Sequence, residues 1–400
     1  MSILKNSINK NLRVLVAHNI YQQRGGEDSV VDAEVSLLRS RGHEVEVYLR
    51  NNDELPSMGA LTVAKECLWS SRTGSDLAQI VAGFAPDLIH AHNTFPLISP
   101  SLYVAAATAG VPIVQTLHNF RLLCPQAMFL REERVCEDCL GKLPWRSVVH
   151  RCYRGSVPQT AVLASMIGLH RGIGTYRNKV NRYIALTEFS RTKFIAGGLP
   201  SELISVKPNF VDLPVPENLQ QRSGFLFVGR LSPEKGTRIL ARAIAAVGHD
   251  VIDVIGTGPE QASLEASPGI RLLGWQVPEA IYARMIEATC LVVPSICYEN
   301  FPRTVVEAFA CGLPVIASRL GAMAEIVRNG ETGLLFEARN VADLAQKMVW
   351  AASNPIAMRK MGANARREYE EKYTPEVNYH QLMTIYSEVI AAARPRASNP

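Results

Sequence analysis

Phe225-Leu226-Phe227-Val228-Gly229-Arg230-Leu231-Ser232-Pro233-Glu234-Lys235-Gly236 is the stretch that sets the fold class. Its first four residues are apolar without alternation, the pattern of a strand buried on both faces. Gly229-Arg230 ends that strand, and Lys235-Gly236 opens a helix that the pattern carries to Val247. A buried strand running straight into a helix is half of a βαβ unit, and βαβ units build parallel sheets. Toward the C-terminus the alternation continues through strands at Val251 to Ile255, Cys290 to Val293 and Pro314 to Ala317, and Val341 to Ala392 is helical in pattern. Toward the N-terminus it lapses between Pro208 and Arg222, where Pro208, Pro214 and Pro216 among polar residues mark an interdomain linker. Before the linker it is present again. Leu12 to His18 reads as a strand and Asn19 to Gly26 as a loop. A helix follows with Val31, Val35 and Leu38 on one face and Gly42 as its stop. Val45 to Leu49, Asp87 to Ala91 and Pro112 to Leu117 are further strands, with a helical stretch from Leu102 to Ala109.

Two α/β halves are therefore expected, each a Rossmann-like doubly wound parallel sheet: 1–207, a linker 208–222, then 223–374. A last helix and loose tail, 375–400, are expected to pack back on the first half. In such sheets ligands bind at the carboxyl ends of the strands. A chain of 400 residues is too long for one compact core. With 47% hydrophobic and 20% charged residues, neither disorder nor a membrane-spanning protein is indicated. Met1 to Lys10 lacks the apolar core of a secretory signal. The run Leu102 to Leu117 is too short to span a bilayer and is broken by Gly110 and Pro112. A cytoplasmic location follows as an expectation. The net charge of +5 gives no reason to expect nucleic acid as a partner.

Two cations, Arg230 and Lys235, at the carboxyl end of a strand and beside a helix N-terminus, suit a diphosphate. They are equally compatible with a solvated turn. Downstream, Tyr298-Glu299-Asn300-Phe301-Pro302-Arg303-Thr304-Val305-Val306-Glu307-Ala308-Phe309-Ala310-Cys311-Gly312 follows the strand Cys290 to Val293. Pro302 fits a first helical turn, placing Glu299 in the preceding loop and Glu307 inside the helix. A carboxylate flanked by Val306, Ala308 and Phe309 needs a partner. The vicinal hydroxyls of a ribose would serve; so would an i,i+4 pair with Arg303.

Taken in order, these pieces resemble the retaining glycosyltransferases of GT-B fold known as family 4, or glycosyl transferases group 1. The resemblance is carried by the two glutamates, by Gly229-Arg230 with Lys235-Gly236, by Gly256-Thr257-Gly258-Pro259 and by Asn329-Gly330-Glu331-Thr332-Gly333-Leu334. In the first half it is carried by Gly25-Gly26-Glu27 ahead of Arg41-Gly42-His43-Glu44-Val45, by Thr116-Leu117-His118-Asn119 and by Lys207-Pro208-Asn209-Phe210-Val211-Asp212. The resemblance implies two Rossmann-like domains facing across a cleft and a nucleotide-diphosphate sugar as donor. It implies a hexose-like sugar moved, with retention of configuration, to a glycan, lipid-linked or other acceptor. Arg230 and Lys235 would neutralise the departing diphosphate, Glu307 would hold the ribose and Glu299 the hydroxyls of the transferred sugar. His118 would lie near that sugar, while Gly25, Gly26 and Gly229 would let backbone approach the donor. No metal is expected in catalysis, since arginine and lysine supply the charge. Pro302, where the family usually has glycine, and Gly321-Ala322-Met323-Ala324-Glu325, in place of a paired-glycine loop, depart from the pattern at the donor sugar's place. Two other functions remain open: a nucleotide-sugar epimerase on a similar scaffold, which would turn over without acceptor, and a non-catalytic nucleotide-sugar or carbohydrate binder.

Two segments are not absorbed by that reading. From Cys139 to Thr187 there is no acidic residue, yet Lys142, Arg146, Arg151, Arg154, Arg171, Arg177, Lys179 and Arg182 lie within it, around an apolar run Val162 to Leu169. Either a core helix with a solvated basic rim or a surface for anionic lipid or a phosphate-bearing acceptor fits this composition. The insertion 121–154 also gathers Cys124, Cys136, Cys139 and Cys152. Cys136 and Cys139 have the spacing at which two thiolates reach one ion, so the four are expected to hold a structural zinc. Reduced cysteines packed in a loop are the alternative.

Overall fold

The computed structural model describes residues 11–23, 25–214, 222–248 and 251–393. The N-terminal ten residues, the middle of the expected linker with Pro216, and the tail 394–400 lie outside it. The chain divides into two compact units. The first comprises Met1–Ala127, Glu137–Lys207 and Asn378–Pro400; the second comprises Met128–Cys136 and Pro208–Val377.

In the first unit, strands β1 (Arg13–Ile20), β2 (Glu44–Asn51), β3 (Leu88–Ala91) and β4 (Ile113–Leu117) precede a two-stranded hairpin, β5 (Leu130–Arg131) and β6 (Arg134–Val135), that belongs to the second unit. Strands β7 (Arg182–Ala185) and β8 (Ile204–Val206) complete a six-stranded sheet of order β2-β1-β3-β4-β7-β8, parallel throughout. Val14, Leu15, Val16 and Ala17 are buried on both faces of β1, as a parallel sheet covered by helices requires. The helix Gly26–Ser40 buries Val31, Val35 and Leu38 as the periodicity predicts, and with them Glu34. The strand order reverses between β1 and β3. That switch point opens a crevice at their carboxyl ends, where the loops after β1, β3 and β4 meet.

The second unit repeats the plan. Strands β9 (Phe225–Val228), β10 (Ile252–Ile255), β11 (Ile270–Gly274), β12 (Cys290–Val293), β13 (Val315–Ser318) and β14 (Gly333–Phe336) form a parallel sheet of order β11-β10-β9-β12-β13-β14. Residue alternation divides the core between its faces. Leu226, Leu291 and Val315 pack with Phe309 of the helix Arg303–Ala310; Phe225, Phe227 and Val292 pack with Leu240 and Ile244 of the helix Thr237–Val247. Each such side chain contributes about 1.5–3 kcal/mol by leaving water. The switch point here lies between β9 and β12. The loop after β9 is wedged against its neighbours: a Cβ on Gly236, at φ +73°, would fall 1.9 Å from the carbonyl oxygen of Pro294, and one on Gly256 1.9 Å from that of Gly229. Only glycine tolerates both the left-handed backbone and the approach.

Several elements escaped the sequence pattern: the helices Ala60–Leu68, Ser71–Phe84 and Glu188–Ala196, and strands β7, β8, β11 and β14. The C-terminal helical stretch is three helices, Val341–Ser353, Pro355–Lys372 and Pro375–Ala393. The second and third begin at prolines, which suit a first turn and cannot continue the preceding helix. From Asn378 the last helix is part of the first unit. Tyr379 there meets His43 Nε2 at 2.8 Å, and the buried Tyr386 meets His90 Nδ1 at 2.7 Å. The segment Met128–Cys136, inside the insertion that the sequence places with the first half, packs instead in the second unit. Phe129 lies against Tyr298, Leu130 against Ile296 and Cys297, and Glu133 pairs with Arg238 at 3.2 Å.

Candidate functional site

At the switch point of the second unit, the predicted residues converge from two loops. The turn Pro233–Lys235 after β9 sends Lys235 Nζ to within 2.7 Å of Glu299 Oε1, a residue of the loop after β12. Ser295 donates to the same carboxylate oxygen at 2.8 Å. Burial alone would raise the Glu299 carboxyl and lower the Lys235 ammonium. Their attraction outweighs burial at both groups, keeping Glu299 below and Lys235 above its ordinary value. Two residues far apart in sequence and expected on one ligand thus form a charged pair at the mouth of the sheet.

Arg230 follows Gly229 at the end of β9 and donates to Glu234 Oε1 at 2.8 Å, while 60% of its side chain stays exposed. Ser232 Oγ donates to that oxygen at 2.7 Å, so Glu234 steers Arg230 without removing its guanidinium from solvent. Glu307 lies a turn into the helix Arg303–Ala310, half-buried, with Arg303 Nε 2.9 Å from Oε1. The i,i+4 pair that the sequence allowed is present. Burial nevertheless raises the Glu307 carboxyl, because Arg303 offsets it only in part. A carboxylate so placed gains from a further donor.

The first unit holds a second polar centre at its own switch point. His118 follows β4 and lines a small recess of about 40 Å³ together with Glu27, His92, Asn119 and Arg121. His118 Nε2 lies 2.9 Å from His92 Nδ1. Burial and the neighbouring His92 hold His118 well below the ordinary histidine value, so it is neutral at pH 7. Glu27 accepts from Tyr21 at 3.0 Å, but its Oε1 is buried without a hydrogen-bond partner. Burial, helped by Asp28, raises its carboxyl. Gly25 caps the helix Gly26–Ser40 in an extended conformation and donates its N–H to Asp28 Oδ2 at 2.8 Å. Nothing lies within 4 Å of where a Cβ would stand on Gly25 or Gly26, so the space beside both is open.

Behind His118 is a buried cluster that sequence reading missed. Glu34, His90, His92 and Lys207 are each at most 2% exposed. Lys207 Nζ is 3.2 Å from Glu34 Oε2 and 3.0 Å from Asn378 Oδ1. His90 Nδ1 is 2.8 Å from Glu34 Oε1, and His90 Nε2 is 2.8 Å from Thr116 Oγ1. The signal available was Glu34, a carboxylate at i+3 from Val31 on the helix's apolar face, where it needs a buried partner.

The four cysteines are differently disposed. No disulfide joins any of the eight in the chain. Cys136 ends the segment that packs in the second unit; Cys124, Cys139 and Cys152 belong to the first. Among the described residues, Cys124, Cys139 and Cys152 do not bring three sulfurs within 4.8 Å of one another. Among the described residues, the trio of donor groups that does so is Glu34, His90 and His92.

Comparison with known proteins bears on the family and the fold. The family described as Glycosyltransferase Family 4 matches residues 24–214, and the one described as Glycosyl transferases group 1 matches 222–354. An uncharacterised glycosyltransferase of Methanocaldococcus jannaschii is 34% identical over 170 residues, 41% of this chain and 48% of that one. A phosphatidyl-myo-inositol mannosyltransferase of Mycobacterium leprae is 30% identical, over 54% of this chain and 61% of its own length. The match thus spans about half of the first relative and three fifths of the second. A D-inositol 3-phosphate glycosyltransferase of Rhodococcus erythropolis is 26% identical over 86% of this chain and 83% of its own. Among solved structures, sucrose-phosphate synthase from Thermosynechococcus elongatus superposes with a TM-score of 0.70 at 16% identity, covering 96% of this chain and all of that one. Anabaena HepE, crystallised with UDP and glucose, gives 0.65 at 19%, covering 94% and 100%. The two doubly wound parallel sheets are the GT-B architecture, and the chain belongs to the family 4, group 1 glycosyltransferases.

Proposed function

We propose that this protein transfers a sugar from a nucleoside-diphosphate sugar to a hydroxyl-bearing acceptor, with retention of configuration, the donor being held at the switch point of the second unit. The observation that carries this reading is the Lys235–Glu299 pair at 2.7 Å. A half-buried lysine whose counter-charge is a carboxylate is placed to exchange that partner for a diphosphate, releasing Glu299 to accept from hydroxyls of the sugar. Arg230, largely exposed, adds a second cation to the leaving group, and Glu307 accepts from the ribose. Charge on the departing diphosphate is then met by fixed cations, which is how preorganised sites lower such barriers. His118 and the orphan oxygen of Glu27 serve hydroxyls on the acceptor side.

A thermal-shift screen of nucleoside diphosphates, then of their sugars, tests the reading, since a ligand of the folded state raises the midpoint. Product analysis with and without added acceptor follows. Turnover that needs no acceptor would favour an epimerase; binding without turnover would favour a non-catalytic role.

We also propose that the acid-free segment is the acceptor-side contact with anionic lipid. Trp145 and Val149 lie on one face of the short helix Trp145–Val149 and are 61% and 65% exposed. Leu169 and Ile173, spaced i,i+4 at the end of the helix Val157–Gly172, are 50% and 60% exposed. Leu143, 66% exposed, packs beside Gly168 and links the two pairs. Exposed aromatic and aliphatic side chains in a segment that carries cations and no acid of its own suit an interface with anionic headgroups. No helix among the described residues is long and apolar enough to cross a membrane. Sedimentation with anionic vesicles should fall as salt rises and fall further on Trp145→Ser; equal partitioning onto neutral vesicles would remove the idea.

A further inference from the structure

Glu34, His90 and His92 offer three donor atoms to one point, but the geometry there is not that of a cation site. Lys207 already brings an ammonium to 3.2 Å of Glu34, and His90 Nδ1 is occupied by Tyr386 at 2.7 Å. A second cation would face the first. Its polar contacts run outward from Glu34 through His92 to His118.

We propose that Glu34, acting through His92, is a positioning residue that fixes the tautomer of His118, so that His118 Nδ1 faces the first unit's recess as a hydrogen-bond acceptor for a substrate hydroxyl. This rests on the proposed role of His118 at the substrate. Glu34 carries charge: burial opposes it, but Lys207 and His90 hold the carboxyl well below its ordinary range. His92 Nε2 faces Glu34 Oε1 at 3.4 Å and both atoms are buried; the same oxygen has His90 Nδ1 at 2.8 Å, whereas His92 Nε2 has no other polar partner among the described residues. An acceptor-only carboxylate obliges the facing nitrogen to carry the proton. His92 is neutral, because burial lowers it to about 3, so it has one N–H and its Nδ1 bears a lone pair. At 2.9 Å from that lone pair, His118 Nε2 must be the donor. His118, also neutral, is left with an unprotonated Nδ1 as its remaining polar atom. The opposite assignment would set the lone pair of His92 against the charge of Glu34, in a place where no water can intervene.

The consequence is a chemical preference. The recess then presents two acceptors, His118 Nδ1 and the unsatisfied Glu27 Oε1, beside Arg121, which donates from Nη1 to Pro125 O at 3.0 Å, lies over Phe95 and keeps Nε buried without a partner. Acceptors take hydrogens. A polyol or sugar hydroxyl donates to both acceptors, and Arg121 adds a donor for its oxygen. Reversing the tautomer would turn one of the two acceptors into a donor.

Nitrogen-15 NMR of histidine-labelled protein reads the tautomer directly, with His118 assigned by the signal lost in His118→Gln. The expected spectrum of the unmodified protein shows His118 protonated at Nε2 and bare at Nδ1. A Nδ1–H or cationic His118 overturns the proposal, and this measurement needs no variant to fold. In Glu34→Gln the side-chain oxygen stays with Lys207 and the amide donates to His92 Nε2, so both histidines should switch tautomer. Transfer should fall about tenfold to a hundredfold, the range lost when a histidine's orienting carboxylate is removed, with nucleoside-diphosphate affinity unchanged. A folded Glu34→Gln protein that keeps the Nε2–H form of His118 also overturns the proposal. His118→Ala with undiminished transfer would instead refute the role of His118 at the substrate, leaving the tautomer result to stand or fall separately.

Discussion

Replacing Lys235 with alanine removes a cation and strands an anion, and the second effect makes the prediction sharp. In the protein, Glu299 Oε1 has Lys235 Nζ at 2.7 Å and Ser295 Oγ at 2.8 Å. Losing one charge-assisted contact to a diphosphate costs about 1.5–3 kcal/mol. At 1.4 kcal/mol per factor of ten, nucleoside-diphosphate affinity should weaken about 10- to 150-fold. The carboxylate of Glu299 would then face the diphosphate with only a hydroxyl for company, adding repulsion to the loss. Removing it as well, in Lys235→Ala/Glu299→Ala, should restore part of the affinity, with a coupling of about 0.5–3 kcal/mol typical of residues in direct contact. Isothermal titration calorimetry of the wild type, both single variants and the double variant closes the cycle. A double variant that binds more weakly than Lys235→Ala, or whose losses simply add, would show that the pair does not share the donor site.

Three further outcomes follow from the buried and charged groups. His92 is neutral when folded, its value lowered from 6.5 to about 3, so stability is fully present above pH 6.5 and lost as pH falls toward the folded value. The slope is about 1.4 kcal/mol per pH unit for that one proton, and His92→Gln should flatten the melting temperature between pH 6 and pH 4.5. An unchanged profile would contradict the burial assigned to it. Sugar transfer should persist after dialysis against a mild chelator, since Arg230 and Lys235 supply the charge; strict dependence on added magnesium or manganese would count against this. The zinc at Cys124, Cys136, Cys139 and Cys152 is retained as a proposal that requires their loops to draw the sulfurs together. It predicts one zinc per chain by elemental analysis, lost in Cys136→Ser with a lower melting temperature, and metal-free protein of unaltered stability refutes it.

That Lys235 and Glu299 share one end of the sheet was legible because the order of elements along the chain encodes their place in it. Once Phe225 to Val228 and Cys290 to Val293 are read as strands of a doubly wound sheet, the loops bearing Lys235 and Glu299 fall at the same edge. Spacing offered Arg303 as one partner for Glu307, and that i,i+4 pair is present, but it gave no sign that Glu234 steers Arg230 or that Lys235 meets Glu299. The cluster behind His118 stayed hidden for a different reason. Glu34, His90, His92 and Lys207 come from one helix, one strand end and the last residue before the expected linker, and only tertiary packing joins them. Lys207 read as part of the domain junction, and its ion pair with Glu34 at 3.2 Å appears only in the folded chain. The short strands β7, β8, β11 and β14, three to five residues each, carry too little periodicity to stand out.

Hydrogen exchange of the whole protein with and without a nucleoside diphosphate tests the donor-site assignment most directly. Backbone amides of Gly229 to Lys235 and Ser295 to Glu307 should gain protection when the diphosphate is added, and the gain should vanish in Lys235→Ala. Protection confined to the loops after β1 and β4, or unchanged exchange in both segments of the second unit at saturating ligand, would contradict the assignment of the donor to the β9–β12 switch point.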